Sequence, residues 1–248
     1  MSLNKKSKAK PRYPELDILK TLAVLGMVYY HSFFFAAQFE VISTPPTDNF
    51  FYELIGHFAR TSFVILVGIN SHLSMQNRDL KSNLHHFSNR SLKIGAAALL
   101  ITIFSAIYIP EAYIQFGILH FIAVTLLFVP LINFSYLTLA LTGLTAITIT
   151  QLNPSLNQLT GCTSENYICL ISGISPPTSL DYFSLSQWLP YVCLGLLVGR
   201  YLYSGLRTGT RTSNKFFQTT EFISKHSLAI YILHLPLLAL FFYFLKNS

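Results

Sequence analysis

The chain has 248 residues, of which 52% are hydrophobic and 11% are charged, and its net charge is +7. A soluble domain carries about 25% charged residues, so this composition excludes an ordinary soluble domain and indicates an integral membrane protein. The basic excess does not indicate nucleic-acid binding, because no recognition motif accompanies it in the sequence. Basic side chains are instead expected where the protein meets anionic lipid.

Seven apolar stretches have the length of membrane-crossing helices. In chain order they cover residues 16–39, 54–75, 92–109, 113–132, 136–152, 183–203 and 222–245. The first is longer than the apolar core of a signal peptide and has no cleavage site before it, so it is predicted to be retained. We predict an all-α integral membrane protein, a bundle of about seven transmembrane helices. Residues 1–15 form a basic tail, and residues 16–246 form one polytopic domain whose external loop is 153–182.

Basic residues are concentrated on alternate sides of these stretches, which predicts orientation. They precede the first stretch and flank the connections after the second and the sixth: Lys5, Lys6, Lys8, Lys10, Arg12, Arg78, Lys81, Arg90, Lys93, Arg200, Arg207, Arg211, Lys215 and Lys225. By the positive-inside rule these sides are cytoplasmic. The amino terminus is then cytoplasmic and, after seven crossings, the carboxyl terminus is external. We expect a multi-pass protein of a bacterial cytoplasmic (inner) membrane, embedded in the lipid bilayer.

The first apolar stretch contains ionisable residues on one helical face. Lys20 and His31 are eleven residues apart, and eleven steps of about 100° return to nearly the same side of a helix. Asp17 lies on the same stripe, three residues before Lys20. Ionisable groups at membrane depth are costly and normally face protein or a watery cavity. The stripe is therefore a candidate functional site.

The other stretches add polar residues at corresponding depths. His57 and Arg60 lie at the external end of the second, His120 in the fourth, Asp181 and Trp188 at the start of the sixth, and His234 near the middle of the seventh. With the predicted orientation, His31 joins these residues in the external half of the membrane. Asp17 and Lys20 belong to the cytoplasmic side.

The cysteines predict at most one disulfide. Cys162 and Cys169 share the predicted external loop, where an oxidising environment permits a bond, whereas Cys193 lies within an apolar stretch and is expected to stay a thiol. Sequence alone leaves the pairing open. No metal site is predicted, because the adjacent His85 and His86 have no third ligand nearby.

Each candidate also has a structural interpretation that the sequence leaves open. A membrane histidine such as His57 often only hydrogen-bonds between helices. Asp17 and Lys20 suit a neutralised pair at the cytoplasmic interface, and Arg60 suits a side chain that reaches towards the headgroups. Trp188 is typical of an interfacial aromatic belt. Gly195 and Gly199, four residues apart, favour close approach of another helix.

Five segments, in order, resemble one family. Residues 15–31 read ELDILKTLAVLGMVYYH, 63–68 FVILVG, 116–120 FGILH, 181–188 DYFSLSQW and 225–234 KHSLAIYILH. Together they resemble the catalytic-domain-like family of heparan-α-glucosaminide N-acetyltransferase, over nearly the whole chain. The first segment is also similar to that of the wider membrane acyltransferases, in which Arg, ten residues and His follow one another. Three positions depart from these patterns: Lys20 stands for that Arg, and Ser184 and Gln187 stand where prolines are expected.

The resemblance implies acyl transfer across the membrane. An acetyl or other acyl group would pass from cytoplasmic acyl-CoA to a sugar hydroxyl or amine presented outside, as on a glycan or amino sugar. Acetyl-CoA or another acyl-CoA would be a co-substrate, with no tightly bound cofactor and no metal. Histidine suits the chemistry, because its ordinary pKa of about 6.5 lies near working pH.

Site roles follow from the resemblance together with the predicted depths. His31 would be the general base or, alternatively, the nucleophile, with His120 or His234 as a second acid/base. Donor binding would fall to Asp17 and Lys20. Acceptor binding and oxyanion stabilisation would fall to His57, Arg60, Asp181 and Trp188.

Other classes remain open at this stage. The same histidines and carboxylates suit the relay of a proton-coupled transporter. A non-catalytic membrane assembly subunit, or an inactive relative of the enzymes, would use them only to join helices. A retinal protein is disfavoured, because the seventh stretch has no lysine near mid-depth. The acceptor, the acyl chain and the oligomeric state are not predicted.

The orientation makes a direct prediction about thiol labelling. After reduction, Cys162 and Cys169 should react with a membrane-impermeant maleimide added outside intact cells, because the loop that carries them is predicted to be external. Cys193, within an apolar stretch, serves as an internal control and should stay unlabelled. Labelling of the loop cysteines only after the reagent enters the cytoplasm would reverse the topology.

Overall fold

The computed structural model of the chain describes residues 12–43, 49–76, 78–110, 113–133, 135–163, 165–177, 179, 181–204 and 214–247. Within these ranges the chain forms eight α-helices and no β-strand: α1 (Pro14–Gln38), α2 (Phe50–Met75), α3 (Leu80–Tyr108), α4 (Ile118–Ile132), α5 (Tyr136–Thr160), α6 (Tyr167–Ser172), α7 (Leu185–Leu202) and α8 (Lys215–Asn247). The predicted all-α class is confirmed. Most of the predicted basic tail lies outside the described residues, as do Arg207 and Arg211.

Each predicted apolar stretch overlaps a helix. Among the described residues, four helices are both long enough and apolar enough to cross a bilayer, namely α1, α2, α3 and α8. The α4 helix is also apolar but has only 15 residues. The chain thus has the helices of a membrane protein, and the count of seven crossings stays a prediction.

The helix ends differ from the predicted stretches in a regular way. The α3 helix begins at Leu80 and α8 at Lys215, earlier than the apolar sequence does, and α5 continues through Pro154 to Thr160. Hydropathy detects only the apolar part of a helix, whereas the backbone hydrogen bonds continue into polar sequence. The predicted loop 153–182 therefore starts as helix and contains the short α6.

The chain divides into two compact units. Unit 1 contains α1, the first part of α2 up to Ser62, and α8; unit 2 contains α2 from Phe63 onwards and α3 to α7. The first and last of the described helices, α1 and α8, thus belong to the same unit.

In unit 1, α1 and α8 run parallel. Thr21 near the start of α1 donates its hydroxyl hydrogen bond to the carbonyl of Thr220 over 3.2 Å, and beyond the end of α1 the Glu40 carboxylate accepts a 2.8 Å bond from Lys246. That bond holds the pKa of Glu40 below its usual value. Both helices therefore begin at the same end of unit 1, an arrangement that in a membrane needs an odd number of crossings between them.

The α2 helix runs antiparallel to α1 within unit 1. The Tyr52 hydroxyl donates to the carbonyl of Tyr30 over 3.2 Å, and the two rings stack with centroids 4.5 Å apart. Gly56 allows this contact, because a Cβ there would collide with the ring of Tyr30.

Helix directions in unit 2 alternate as successive crossings would. Ser91 of α3 donates a 2.6 Å hydrogen bond to the carbonyl of Ala123, midway along the antiparallel α4. The α5 helix likewise lies antiparallel to α7, and the unit 2 part of α2 lies parallel to α7 with Gly68 against Val192 and Gly195. The predicted role of Gly195 in close helix approach is confirmed.

The α3 helix buries several small polar residues and exposes several large apolar ones. Asn83, Ser91 and Ser105 are buried, while Leu92 and Leu100 are 75% and 66% exposed. In water such an exposed apolar face would be unfavourable. It is the pattern expected of a helix surrounded by lipid, where small polar residues join neighbouring helices.

Close packing at Gly195 should be essential to unit 2. In Gly195→Ala the new methyl group overlaps the carbonyl oxygen of Ile65, and overpacking of this kind costs about 1–3 kcal/mol. The matched control is Gly143→Ala, whose Cβ would lie 3.8 Å from its nearest neighbour, the Cβ of Cys193. Thermal unfolding in detergent should show a lower midpoint for Gly195→Ala alone. Equal midpoints for both variants would contradict the close contact.

Candidate functional site

Two buried histidines meet in unit 1. The Nδ1 atom of His31 on α1 lies 2.9 Å from Nε2 of His234 on α8, and the ring centroids are 5.0 Å apart. Only 3% of His31 and 6% of His234 is exposed. The Nδ1 atom of His234 lies 2.6 Å from the carbonyl oxygen of Tyr231, within its own helix. The predicted catalytic residues His31 and His234 are thus brought together.

Local sequence explains why these faces meet. On α1 the buried positions Met27, His31 and Phe35 are spaced by four residues, so they form one stripe. On α8 the buried residues Thr220, Ser224 and Ser227 are small, and small side chains allow helices to approach closely. Packing of the two helices along this seam places the imidazole rings side by side.

Arg60 belongs to an aromatic cluster in the same unit. Its guanidinium carbon lies 5.3 Å from the centre of the Tyr30 ring, in a cation–π contact, and its Nε donates to the carbonyl of Gly56 over 3.2 Å. Nη2 lies 3.9 Å from a carboxylate oxygen of Glu53. Nη1 forms no hydrogen bond within the part of the chain that the structure describes, so a planar donor group is oriented but not saturated.

Tyr30 links this cluster to the histidine pair. It precedes His31 in the sequence, and the two rings meet edge to face with centroids 6.0 Å apart. Sequence analysis did not select Tyr30, Tyr52 or Glu53. The available signal was that Tyr30 adjoins a candidate base, although aromatic residues are too frequent in this chain to be informative singly.

The remaining predicted residues of unit 1 lie apart from the pair. Asp17 forms an ion pair with Arg12, with Nε and Oδ2 separated by 2.9 Å, and Arg12 also lies 3.5 Å from a carboxylate oxygen of Glu221. Lys20 is half-buried on α1. His57 is exposed on α2 and hydrogen-bonds to no other residue that the structure describes.

His120 in unit 2 has both ring nitrogens engaged. Its Nδ1 accepts a 3.3 Å hydrogen bond from the backbone N–H of Gly117, and its Nε2 lies 3.2 Å from the hydroxyl oxygen of Thr102. Because Thr102 donates its own hydrogen to the carbonyl of Ile114 over 2.7 Å, the Thr102 oxygen is the acceptor from His120. These bonds fix the start of α4 against α3.

Asp181 lies at the same helix start. Its Oδ2 accepts a 3.0 Å hydrogen bond from the backbone N–H of Ile118, the first residue of α4. A carboxylate there interacts favourably with the helix dipole and satisfies a donor that has no partner within the helix. Gly117 is needed for this approach, because a Cβ would lie 2.6 Å from that oxygen.

Trp188 is part of the core of unit 2. It is 5% exposed and packs between Phe183 and Tyr191, with ring centroids 4.7 and 5.5 Å away. Its buried Nε1 makes no hydrogen bond with the residues that the structure describes. An interfacial belt residue would expose its indole N–H, so Trp188 is a packing residue with one unsatisfied donor.

The segment of unit 2 that is predicted to be external has two internal links. Cys162 and Cys169, left open as a pair by the sequence, form a disulfide with Cα atoms 6.0 Å apart, and Cys193 is a buried free thiol. The Tyr182 hydroxyl donates to the carbonyl of Leu170 over 2.6 Å, and burial raises the pKa of Tyr182 to about 12.

Arg200 has a structural partner that sequence analysis missed. It donates to the carbonyl of Asn133 over 2.6 Å, just beyond the end of α4, and lies over the ring of Tyr136 at 4.6 Å. A cation there satisfies the carbonyl end of a helix. Sequence analysis used Arg200 only as a marker of the cytoplasmic side.

The described residues contain no group of three or more His, Cys, Asp or Glu side chains placed to hold a metal ion. The histidine pair can instead accept and hold a proton, and the oriented guanidinium of Arg60 can stabilise negative charge.

Comparison with known families gives one match. The sequence model of the family described as heparan-alpha-glucosaminide N-acetyltransferase, catalytic, matches residues 12–236. Neither the curated proteins nor the solved structures gave a significant match.

The contacts of Asp181 predict that it stabilises the start of α4. Asp181→Ala removes the acceptor of the Ile118 N–H and should lower stability by about 1–2 kcal/mol, whereas Asp181→Asn keeps an acceptor and should lose less. Thermal unfolding in detergent measures both. If instead both variants unfold like the parent while the KM for an acceptor rises, Asp181 contacts the acceptor.

Proposed function

The chain belongs to the heparan-alpha-glucosaminide N-acetyltransferase catalytic family, and on that premise we propose that it is a membrane acetyltransferase. The acyl group comes from acetyl-CoA or another acyl-CoA on the cytoplasmic side. The acceptor is a sugar hydroxyl or amine on the external side, on a glycan or an amino sugar. The membrane is a bacterial cytoplasmic membrane, and the bilayer is the partner of the exposed apolar helix faces.

The hydrogen-bonded pair of His31 and His234 is the observation that carries this proposal. A reaction between an alcohol or amine and a thioester needs a base at the acceptor. A neutral imidazole that is oriented by a partner and keeps one lone pair meets that need. Burying two histidines 2.9 Å apart at membrane depth also costs free energy. A catalytic role is a reason for the protein to bear that cost.

In the proposed reaction His31 removes the proton of the acceptor as the acceptor oxygen or nitrogen attacks the thioester carbonyl. The carbonyl oxygen gains negative charge, which the guanidinium of Arg60 stabilises. When the carbon–sulfur bond breaks, the sulfur of CoA receives the proton that His31 holds. The products are the acetylated acceptor and free CoA thiol, and His31 returns to its neutral form.

The donor phosphates are proposed to bind at the cytoplasmic end of α1. Lys20 attracts them, and Asp17 acts by holding the guanidinium of Arg12 at the same end, 2.9 Å away. From Lys20 to His31 the helix rises about 16 Å. A thioester at the end of a long flexible arm, as in acyl-CoA, suits a phosphate site and a base that far apart.

On the acceptor side the proposed contacts are Arg60 and the exposed His57. Asp181, His120 and Trp188 belong to unit 2, where their observed contacts cap α4 and fill the core. We propose that these three maintain the fold of unit 2 through those contacts.

A proton-coupled transporter is the second candidate, because a hydrogen-bonded histidine pair is also a relay element. The two functions differ in their need for a thioester. A transporter accumulates its substrate in vesicles without acetyl-CoA, whereas the acetyltransferase releases CoA thiol only when an acceptor is present.

The proposal predicts thiol release from acetyl-CoA by the purified protein in detergent with a panel of sugars and amino sugars. His31→Ala should lower kcat by about 10²–10⁴-fold, the usual contribution of a general base. Lys20→Ala should instead raise the KM for acetyl-CoA with little change in kcat. Lys20→Arg should keep the KM of the parent, because a guanidinium also binds phosphate.

Thermal unfolding of each variant is the control for folding. The same rate of thiol release in the parent and in His31→Ala would exclude His31 as the base. No release with any acceptor, together with substrate accumulation in vesicles, would favour the transporter.

A further inference from the structure

We propose that His234 is a positioning residue that fixes the tautomer of His31, so that Nε2 of His31 is the one ring nitrogen of the pair whose lone pair is not used in a hydrogen bond to a described residue. This inference rests on the proposed function, since it names the atom that acts as the base. It also gives His234 a role other than the second acid/base suggested by the sequence.

The hydrogen-bond chain determines where the protons are. A carbonyl oxygen only accepts, so the 2.6 Å contact with Tyr231 requires a proton on Nδ1 of His234. In neutral imidazole the other nitrogen then carries a lone pair, so Nε2 of His234 is an acceptor. The 2.9 Å contact with His31 therefore requires a proton on Nδ1 of His31, which leaves the lone pair on Nε2 of His31.

The opposite arrangement is disfavoured by burial. With the proton on Nε2 of His234, its Nδ1 lone pair would face the lone pairs of the Tyr231 oxygen at 2.6 Å. Both rings are almost completely buried, so water could not relieve that contact. The helix carbonyl of Tyr231 thus selects one tautomer of His234, and His234 selects one tautomer of His31.

The same chain shows why His234 acts through His31. Both ring nitrogens of His234 are engaged, one by a carbonyl and one by His31. Both ring nitrogens of His120 are engaged as well. Of the three histidines predicted to be catalytic, only His31 keeps a ring nitrogen without a hydrogen bond to any described residue. That nitrogen keeps the lone pair that a general base needs.

A neutral partner also affects how the base is used. In the related arrangement of serine proteases, a carboxylate orients the histidine and offsets its positive charge. His234 orients the ring but brings no negative charge. A protonated His31 in this buried site is therefore favourable only while negative charge develops on the reacting thioester. Removal of the acceptor proton is thus coupled to attack of the acceptor on the thioester carbonyl.

Two substitutions of His234 separate positioning from other roles. The side-chain amide of Gln lies where Nε2 of His lies, so His234→Gln can still accept from Nδ1 of His31. The amide of Asn lies where Nδ1 of His lies, so His234→Asn keeps the contact with Tyr231 and loses the contact with His31. We expect His234→Gln to retain kcat within about tenfold and His234→Asn to lose about 100-fold or more, as for other lost orienting partners.

The KM for acetyl-CoA should stay the same in both variants, because neither substitution touches the donor. Equal, large losses of kcat in two folded variants would make His234 an acid/base that contacts substrate. Unchanged kcat in His234→Asn would make it a packing residue only. Either result would overturn the positioning role.

A second measurement does not depend on activity. Nitrogen-15 NMR of histidine-labelled protein distinguishes protonated from unprotonated ring nitrogens. In the parent protein His31 should show a protonated Nδ1 and an unprotonated Nε2, and His31→Gln assigns its signals. The opposite tautomer in the parent would refute the inference even if both His234 variants failed to fold.

The two measurements separate the inference from the proposed function. The expected tautomer without any thiol release would leave the positioning role standing and remove the acetyltransferase. Thiol release that requires His31 but is equally fast in His234→Gln and His234→Asn would have the opposite meaning. It would support the acetyltransferase and overturn the positioning role of His234.

Discussion

Lipid offers no hydrogen bonds, so each polar group at membrane depth needs a partner within the protein. In unit 1 that requirement is met where α1 and α8 run parallel and His31 bonds to His234. Hydrogen bonds engage three of the four ring nitrogens, and Nε2 of His31 has no hydrogen bond to a described residue. In the proposed reaction, the contact that offsets the cost of burying the two rings also orients the base, and small buried residues on α8 allow the helices to approach closely enough to form it.

Unit 2 also provides partners for its buried polar groups, but there they stabilise helix ends. Its buried polar side chains are used at helix ends: Asp181 and His120 satisfy backbone groups at the start of α4, and Arg200 satisfies a carbonyl beyond its end. The α4 helix has only 15 residues. Contacts at its two ends therefore hold the whole helix in position. Hydrogen bonds to backbone groups orient these side chains, and the same bonds hold the ends of α4 in place.

The apolar stretches and the ionisable residues His31 and His234 could be predicted from sequence. Hydropathy shows which segments are apolar enough for a membrane, and helical spacing shows which polar groups within them share a face. The cap formed by His120 could not, since its partner Thr102 belongs to another helix and nothing in the spacing of either residue indicates the pairing. Helix ends were also missed: α5 continues to Thr160 because a proline removes one backbone donor without ending the helix when its neighbours remain bonded.

The parallel pairing of the first and last helices has a consequence for biosynthesis. His31 and His234 are separated by 203 residues, so the ribosome adds every helix from α2 to α7 before the second ring exists. A chain that stops before α8 leaves His31 in the bilayer with an unmet polar group, which is both inert and unfavourable. Synthesis of α8 thus supplies the partner that both stabilises the buried ring of His31 and orients it.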